Sequence, residues 1–524
     1  MNDPIVGIRF RWSWFQKVMQ DSKHKLGKIA FGLTIMMIIS KCLGVMRDAL
    51  MAYKFGTSYI VDVYTVGLTF GNLAFSLFTV GFSEAFITVF ARTNPKERTS
   101  FFNNTVTLIL LGTTVLGCFF FVFSDTVARF LAPGFDSGAH NLLILFIRIM
   151  CFVIPIQGVF AILLSNEQAR ENFVFTRFCD FIVINVLVII TILITDSRYP
   201  FFLPIGYVIA NFVALISVAI YSIKNGNMHY SFRCDLKDKS FNTLLSLAIP
   251  LGVSFLINDI NTMSDGIFAS MVGEGMTSSL NYANKMQALF LAVTINIISS
   301  VCFPRIAGFF SSGEKEKALY YIRKSIMIAL FIAIPFTFFL ILFSPLVVKV
   351  IFERGSFNKD SSYIVANCLR YYCFGIPFYA MNNVQCQVLA ADAKQKIIMI
   401  ITSISVACNI VLDFVLLKLI GYIGLPLATA LSGTIQFCIL AFYIKKMGLV
   451  IVKNEEKKDI LRILVSILVS MVLTLATYTI WGSRASIWLG IGRAAFFMAL
   501  YICINYLIRT NIFMWLIKSL LKKR

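Results

Sequence analysis

Residues 29–52 read IAFGLTIMMIISKCLGVMRDALMA, an apolar run long enough to cross a membrane as one helix. A hydrocarbon layer about 30 Å thick needs about 20 helical residues. Lys41, Arg47 and Asp48 interrupt this run, and Asp62 follows early in the next apolar stretch. A charge at the bilayer centre costs roughly 2.5–3.5 kcal/mol on insertion scales and is tolerated where it faces water or a partner. These four residues predict an aqueous pocket that holds a charged group.

The composition of the whole chain also indicates a membrane protein. Of its 524 residues, 58% are apolar and 14% are charged, and the mean hydropathy is +0.81. Long apolar runs separated by short polar loops predict an all-α polytopic membrane protein with about 14 transmembrane helices. The predicted spans are 29–54, 60–91, 103–131, 141–165, 173–195, 201–223, 242–272, 277–309, 320–352, 362–391, 396–418, 422–444, 460–481 and 486–509.

The net charge of +21 follows the same topology. Basic residues concentrate in the N-terminal segment, in the loops after spans 2, 6, 8 and 12, and in the C-terminal tail. All of these segments lie on one side of the predicted membrane, which argues against a nucleic-acid-binding domain. The excess of Lys and Arg on cytoplasmic loops predicts that both termini are cytoplasmic.

Several kinds of chemistry have no sequence support. The twelve cysteines form no CxxC pair, the three histidines are scattered, and the phosphate-loop pattern GxxxxGK[ST] does not occur. A membrane glycosyltransferase or ligase would need a sizeable outer loop with catalytic groups, and no predicted outer loop is long enough. The sequence therefore favours a transporter over an enzyme.

An internal repeat divides the chain. Residues 148–155 read RIMCFVIP and residues 370–377 read RYYCFGIP, and two phenylalanine pairs match at the same offset of 222 residues. Each half then holds six spans, which predicts lobes related by a pseudo-twofold axis along the membrane normal, with a substrate site between them. The predicted organisation is a basic cytoplasmic N-terminal segment at 1–28, an N-lobe at 29–223, a cytoplasmic linker at 224–241, a C-lobe at 242–445, and a segment at 446–524 with a linker, the last two spans and a basic tail.

A second polar constellation lies in the predicted C-lobe. Asn409 and Asp413 are four residues apart and share one helical face, and Thr429 on the next span can face them. Pro426 removes a helical hydrogen bond, which predicts a free carbonyl four residues earlier. With Asp265 on span 7 these groups form a set of hard oxygen ligands that suits a small alkali cation. The alternative is a set of hydrogen bonds that only stabilises the lobe.

The motifs resemble those of the MurJ/MviN lipid II flippases, within the superfamily of multidrug/oligosaccharidyl-lipid/polysaccharide exporters. The resemblance rests on SKCLGVMRD at 40–48, FG at 55–56, Asp62, LAPGF at 131–135 and SSLNYANK at 278–285. It covers essentially the whole chain and implies two six-helix lobes plus a final helix pair. It also implies a cavity of basic side chains for the diphosphate and sugars of undecaprenyl-diphosphate-linked peptidoglycan precursor, and a groove for the lipid tail.

Site residues carry over from this resemblance. Lys41 and Arg47 stand where the family has arginines in its first helix, and Lys285 stands where it has one in the eighth. Asp48 and Asp62 would hold these cations while no substrate is bound. The predicted substrate-binding set is Lys41, Arg47, Asp48, Asp62, Ser278 and Lys285. In an alternative interpretation, Lys41 and Asp48 merely neutralise each other between packed helices.

The resemblance also implies a sodium ion on Asp265, Asn409, Asp413 and Thr429, as in some relatives. It implies a monomeric, non-enzymatic flippase in the bacterial plasma membrane, with membrane lipids and the lipid-linked saccharide as ligands, no nucleic acid, and cell-wall polymerising enzymes as candidate partners.

One departure from the family keeps other functions open. The family's second helix usually carries an arginine pair, whereas residues 72–86 read NLAFSLFTVGFSEAF and have no charge before Glu84. A flippase for another polyprenyl-diphosphate-linked oligosaccharide, for surface polysaccharide or teichoic acid, is therefore an alternative. A cation-coupled multidrug exporter is a second one. The sequence assigns no role to Arg148, Arg370 or Arg493 beyond favouring a structural one for the first two.

Overall fold

The structure is a computed structural model. It describes Gly32 and residues 35–301, 305–306, 308–309, 312–392, 394–448, 454–481 and 486–521. The predicted N-terminal basic segment at 1–28 and the last three residues of the basic tail lie outside the described residues. Within them the chain forms helices and turns without any β-strand.

The first helix, α1, covers residues 35–55. The later helices are α2 (Tyr59–Arg92), α3 (Arg98–Val122), α4 (Ser124–Leu131), α5 (Ser137–Met150), α6 (Val153–Ala169), α7 (Phe173–Phe178), α8 (Ile184–Ile194), α9 (Phe202–Lys224), α10 (Lys239–Ser270), α11 (Met276–Val301), α12 (Lys315–Ile351), α13 (Lys359–Cys373), α14 (Ile376–Ala391), α15 (Gln395–Ile420), α16 (Gly424–Lys446), α17 (Asn454–Trp481), α18 (Ile487–Leu507) and α19 (Asn511–Leu521). A π-helical turn at Cys179–Val183 joins α7 to α8, and a 3₁₀ turn at Gly421–Ile423 joins α15 to α16.

The predicted fold class is confirmed as an all-α multi-pass membrane protein. Nine helical stretches of the described residues are long and apolar enough to span a membrane. One of them, Gln395–Lys446, contains two of the predicted spans. The number of fourteen transmembrane helices stays a prediction.

The contacts between Cα atoms divide the chain into two compact units. Unit 1 contains the described residues up to Met51, Phe70–Val127 and Leu142–Leu256, and unit 2 contains Ala52–Thr69, Ala128–Asn141 and the chain from Ile257 onward.

Aromatic packing and a close helix contact organise unit 1. Phe86 of α2 is fully buried and stacks on Phe101 of α3, with ring centroids 5.2 Å apart. Gly81 of α2 lies so close to α10 that an added Cβ would stand 2.5 Å from the carbonyl oxygen of Ala248. Only glycine fits at such a backbone approach. These contacts hold α2 against α3 and α10 within unit 1.

Two loops of unit 2 pack on helix ends at related positions of the repeat. The loop after α12 meets the end of α1, where the backbone N–H of Ser356 donates to the carbonyl of Tyr53 at 2.8 Å. The LAPGF loop after α4 meets the end of α10, where the N–H of Gly134 donates to Ser270 Oγ at 3.4 Å. The LAPGF motif therefore has a packing role in unit 2.

The repeat-related arginines make matching hydrogen bonds. Arg148 Nε donates to Ser124 Oγ at 2.9 Å, and Arg370 Nε donates to Ser344 Oγ at 3.0 Å. Both serines are fully buried. Ser124 is the first residue of α4 and Ser344 lies in the last two turns of α12. Each arginine thus binds a buried serine of a preceding helix, as a structural role requires.

Candidate functional site

Arg47 and Asp48 form an ion pair on α1. The Nε and Nη2 atoms of Arg47 each donate to Asp48 Oδ1 at 3.3 Å. Asp48 is buried and Arg47 is partly buried, whereas Lys41 is exposed in unit 1. The structure therefore brings together the predicted cation Arg47 and the predicted counterion Asp48. In the alternative interpretation Asp48 pairs with Lys41, whereas in this structure Asp48 pairs with Arg47.

Asp62 has different partners from the cations that the sequence suggested. Its Oδ2 accepts from the backbone N–H of Gly275 at 2.6 Å, and its Oδ1 accepts from that of Ser278 at 2.7 Å. Both donors lie at the N-terminus of α11, where backbone N–H groups lack intrahelical acceptors and a carboxylate is favoured by the helix dipole. The Asp62 side chain, which is 1% exposed, therefore caps α11.

Ser278 belongs to the same cap. Its hydroxyl donates to the carbonyl of Gly275 at 3.1 Å, and the residue is fully buried. Gly275 has φ +81°, a conformation that favours glycine. Lys285 lies two turns further along α11 and is half-buried in unit 2. The structure thus joins two members of the predicted substrate-binding set, Asp62 and Ser278, through helix capping.

The four predicted sodium ligands meet in unit 2, and we call them the carboxylate cluster: Asp265, Asn409, Asp413 and Thr429. Thr429 Oγ1 donates to Asp265 Oδ2 at 3.3 Å, and Asn409 Nδ2 donates to Asp413 Oδ2 at 3.0 Å. The carboxyl groups of Asp265 and Asp413 lie close enough to each other for electrostatic interaction. All four residues are at most 8% exposed.

Two oxygen atoms of the carboxylate cluster fit a cation. Asp265 Oδ1 and Asp413 Oδ1 are buried and accept no hydrogen bond in the described part of the chain. Two neighbouring carboxylates repel each other when both are ionised, and a cation bound between them would reduce that repulsion. Within the described residues no three His, Cys, Asp or Glu side chains group closely enough to hold a metal ion. The candidate donors here are oxygen atoms of two carboxyl groups, one amide and one hydroxyl.

Surrounding groups fix the carboxylate cluster in position. Ser432 Oγ donates to Asn409 Oδ1 at 3.5 Å and to the carbonyl of Thr429 at 2.9 Å, and the hydroxyl of Tyr379 donates to that carbonyl at 2.6 Å. An added Cβ at Gly433 would lie 2.7 Å from the Tyr379 ring, so this glycine makes room for the tyrosine. The ligand side chains are therefore held by partners on neighbouring helices.

The expected role of Pro426 is wrong. The helix α16 begins at Gly424, so Pro426 lies in its first turn. Backbone N–H groups in the first turn have no intrahelical partner, and proline there removes no hydrogen bond. The carbonyl of Tyr422 accepts from the N–H of Gly424 in the preceding 3₁₀ turn. Pro426 therefore starts the helix and frees no carbonyl for a cation.

The sequence interpretation missed a second ion pair in unit 1. Arg177 Nη1 donates to Asp180 Oδ2 at 3.0 Å, and the Arg177 guanidinium lies 5.4 Å from the centroid of the Phe181 ring. Asp180 lies in the π-helical turn between α7 and α8. The sequence could have predicted this ion pair, because two opposite charges three residues apart in an apolar run share a helical face. π-Helical turns are frequent at functional sites.

A family model and the relatives of this chain agree on one family. The family model described as lipid II flippase MurJ matches residues 51–490. A probable lipid II flippase MurJ from Rhizobium meliloti (strain 1021) is 25% identical over 414 residues, which are 76% of this chain and 77% of that protein. The corresponding protein from Thermotoga maritima is 25% identical over 410 residues, covering 78% of this chain and 83% of the relative.

Solved structures share the fold. A lipid II flippase MurJ in an inward closed conformation superimposes with a TM-score of 0.80 at 21% identity, covering 92% of this chain and 99% of that one. An inward-facing multidrug resistance MATE transporter of the MOP superfamily gives a TM-score of 0.66 at 13% identity, covering 79% and 97%. The family model covers most of the chain, and the chain therefore belongs to the MurJ family of lipid II flippases.

Proposed function

We propose that this protein moves lipid II, the undecaprenyl-diphosphate-linked peptidoglycan precursor, from the inner to the outer leaflet of the bacterial plasma membrane. The observation that carries the proposal is the family match over residues 51–490, and just before that stretch Arg47 forms an ion pair with Asp48 on a mostly apolar helix. The protein would act as a transporter by alternating access, without a catalytic reaction. The relatives from Rhizobium meliloti and Thermotoga maritima are both named probable lipid II flippases.

The Arg47–Asp48 pair supports binding of a diphosphate. A diphosphate carries about two negative charges and is bound by several cationic donors, of which arginine gives two parallel hydrogen bonds and lysine a point charge. Asp48 neutralises Arg47 in this structure, so a bound phosphate would replace one anion by another. Lys41, on the same helix as Arg47, would supply further positive charge, and Lys285 of unit 2 stays a proposed substrate-binding residue. Asp62 and Ser278 would contribute indirectly, because they cap α11, the helix that carries Lys285.

We also propose that the carboxylate cluster binds one sodium ion. The orphaned oxygens of Asp265 and Asp413, the carbonyl oxygen of Asn409 and the hydroxyl of Thr429 are the donors that would hold it. The ion would supply a positive charge between two buried carboxylates. Binding of an ion to one conformation stabilises that conformation relative to the others.

The proposal also covers the orientation of the protein in the membrane, its oligomeric state, its partners and the effect of the membrane potential. We infer that both termini are cytoplasmic because the basic loops fall on one predicted side. We propose that the protein acts as a monomer and that cell-wall polymerising enzymes are its partners downstream. The membrane potential, worth about 2.3 kcal/mol per charge per 100 mV, would bias transport of a charged headgroup.

The proposal is tested in proteoliposomes that contain purified protein and labelled lipid II. We expect protein-dependent exposure of lipid II on the opposite leaflet, measured by accessibility to a membrane-impermeant reagent. The matched substrate is an undecaprenyl-diphosphate-linked oligosaccharide without the peptide. Transport of that substrate with no transport of lipid II would replace the proposed substrate by another lipid-linked glycan, and transport of neither would refute the flippase proposal.

A further inference from the structure

Unit 1 contains a cavity of about 570 Å³, which we call the loop pocket. It lies where the last residues of α2, the loop after α2, and the first residues of α3 and α10 meet. Its volume falls within the range of roughly 300–1,000 Å³ that is usual for small-molecule sites. None of its lining residues belongs to the predicted substrate-binding set or to the carboxylate cluster. Cationic and hydroxyl-bearing side chains form much of the lining: Arg92, Arg98, Lys239, Thr93, Ser240 and Thr243.

The loop pocket carries excess positive charge. Arg92, Arg98 and Lys239 line it, whereas Glu97 is its one acidic side chain. Arg92 and Lys239 are exposed, and their side chains form no ion pair or hydrogen bond with the part of the chain that the structure describes. Cations around one cavity repel each other, and an anion bound among them reduces that repulsion. The pocket therefore suits a negatively charged ligand.

The guanidinium of Arg98 is held in place with part of its surface left for a ligand. Its Nε donates to the carbonyl of Thr93 at 3.2 Å, and the group lies over the Phe90 ring, 4.9 Å from the centroid. Phe90 is 2% exposed, so the ring that supports the guanidinium is itself fixed. The two Nη groups of Arg98 make no hydrogen bond within the described residues. Such groups supply the parallel donors that match phosphate oxygens.

The start of α3 adds a weaker attraction for an anion. Glu97, the N-cap residue, makes no side-chain hydrogen bond to the first turn. The N–H groups of a first turn lack intrahelical acceptors, and the helix dipole favours negative charge there. The start of α10 differs, because Asp238 Oδ1 accepts from the N–H groups of Ser240 and Phe241 at 2.8 and 3.2 Å. The three basic side chains therefore remain the main source of positive charge.

The linker that leads to α10 is fixed on α3. Asn104 Nδ2 donates to the carbonyl of Asp235 at 2.9 Å, and the N–H of Asp235 donates to Asn104 Oδ1 at 2.7 Å. Asn103 Nδ2 donates to the carbonyl of His229 at 3.0 Å. Both asparagines are buried. These bonds hold the linker before Lys239 in place, so the pocket is formed before a ligand arrives, which lowers the entropy cost of binding.

The position of the loop pocket in the chain indicates where its ligand comes from. Its residues lie around the loops after spans 2 and 6, which the distribution of Lys and Arg predicts to be cytoplasmic. The cytoplasmic leaflet carries anionic phospholipids, which attract basic residues next to membrane helices. Soluble phosphate esters reach the same side of the membrane and offer the same charged oxygens.

We propose that the loop pocket binds a phosphate group from the cytoplasmic side. Arg92, Arg98 and Lys239 bind the phosphate oxygens, and the carboxylate of Glu97 limits the affinity. The phosphate belongs to an anionic phospholipid headgroup or to a soluble phosphate ester, which share this chemistry. The inference goes beyond the proposed function, because it does not depend on which lipid the protein transports.

The test compares two double variants of the purified full-length protein that remove equal charge. Arg92→Ala/Lys239→Ala removes two cations of the loop pocket, and Lys96→Ala/Lys237→Ala removes two exposed cations of the same loops that do not line it. The lipid probe is phosphatidylglycerol, with zwitterionic phosphatidylcholine as reference, and its binding is measured by native mass spectrometry. The soluble probe is glycerol 1-phosphate, and its binding to lipid-free protein in detergent is measured by isothermal titration calorimetry.

We expect the pocket variant to weaken binding of a phosphate probe by roughly tenfold or more, because charge-assisted hydrogen bonds are lost. The control variant should weaken it by less than about twofold, because exposed charges outside a site contribute little. Glu97→Gln should tighten binding, since it removes the one carboxylate of the pocket. If the pocket variant does not fold, Arg92→Gln/Lys239→Gln replaces it, because glutamine keeps a long polar side chain without the charge.

The two probes distinguish the sources of the phosphate. Binding of phosphatidylglycerol without binding of glycerol 1-phosphate assigns the pocket to a lipid headgroup. Binding of glycerol 1-phosphate that the pocket variant abolishes assigns it to a soluble ester. Affinities that the pocket variant leaves unchanged, or that both double variants lower equally, would overturn the inference, because the attraction would then belong to the whole basic surface. A wild-type protein that binds neither probe would overturn it as well.

Discussion

The two arginine–aspartate pairs of unit 1 and the carboxylate cluster of unit 2 are both groups of ionisable residues on apolar helices, but their charge balance differs. In these two pairs the aspartate has an arginine partner, at 3.3 Å for Arg47–Asp48 and 3.0 Å for Arg177–Asp180. In unit 2 the two carboxylates face each other, and the described residues supply no ion pair to either of them. Arginine side chains balance the aspartates of the two pairs, whereas no basic side chain of the described residues pairs with the carboxyl groups of the cluster.

This difference in charge balance indicates which kind of ion each group binds. A neutral arginine–aspartate pair gains little from a free cation, but an anion with better geometry can replace its carboxylate. A buried carboxylate pair is costly until a cation or a proton reduces its charge. The first arrangement therefore suits the phosphate groups of a substrate, and the second suits a coupling cation. A single chain can in this way hold an anionic substrate and a cation in chemically separate sites.

The largest expected effect comes from breaking the neutral group. Arg47→Ala should reduce lipid II flipping by roughly tenfold or more, because a bidentate charged donor is lost. The measurement is lipid II exposure in proteoliposomes with equal amounts of inserted protein. The double variant Arg47→Ala/Asp48→Asn removes both charges and so restores neutrality. If it recovers normal flipping, the defect of the single variant arose from an unpaired aspartate and not from a missing donor.

The next prediction concerns the cation that α11 contributes. Lys285→Arg keeps the positive charge and should retain flipping, whereas Lys285→Glu places an anion near a diphosphate and should abolish it. Both variants need equal membrane insertion, checked by fluorescence size-exclusion chromatography. Equal activity of the two would mean that Lys285 does not contact the substrate, and unit 2 would then contribute only its carboxylate cluster.

The sodium proposal predicts a smaller, purely thermodynamic effect. A ligand that binds the folded state stabilises it by RT ln(1 + [L]/Kd), about 2.7 kcal/mol at a hundredfold excess over Kd. Sodium should therefore raise the melting temperature relative to choline at equal ionic strength. Asp413→Ala should erase this increment, while Asp392→Ala, a carboxylate paired with Lys394, should keep it. Identical wild-type melting curves in the two salts would leave the cluster with a structural role only.

Much of this molecule could be predicted from its sequence, for a physical reason. Apolar runs of about 20 residues have few stable alternatives to a membrane helix, so the fold class followed from hydropathy. The carboxylate cluster was predictable because Asn409 and Asp413 lie four residues apart on one helical face. The remaining members joined them through the family pattern, and the structure brings all four together.

The partners of individual charges could not be predicted in the same way. Asp62 binds backbone N–H groups more than 200 residues away, at the start of α11, and no local pattern specifies such a contact. The π-helical turn that carries Asp180 differs from an α-helix only in its backbone hydrogen bonds. A hydropathy profile does not report that difference. Pro426 was misread because the start of α16 depends on the preceding turn, and helix ends are the least predictable part of a helix.

The smallest expected effect is also the most direct test of the comparison. In choline and at pH 8, Asp413→Asn replaces one carboxyl group of the buried pair by an amide of the same volume, which costs less to bury beside Asp265, so the melting temperature should rise. Asp180→Asn makes the same substitution in an ion pair with Arg177 and leaves the guanidinium without its carboxylate, so the melting temperature should fall. Each change should correspond to about 1 kcal/mol. Differential scanning fluorimetry of the two variants, with wild type alongside, measures both signs. Shifts of the same sign would show that the two groups do not differ in charge balance, because opposite shifts follow only if one aspartate is paired and the other is repelled.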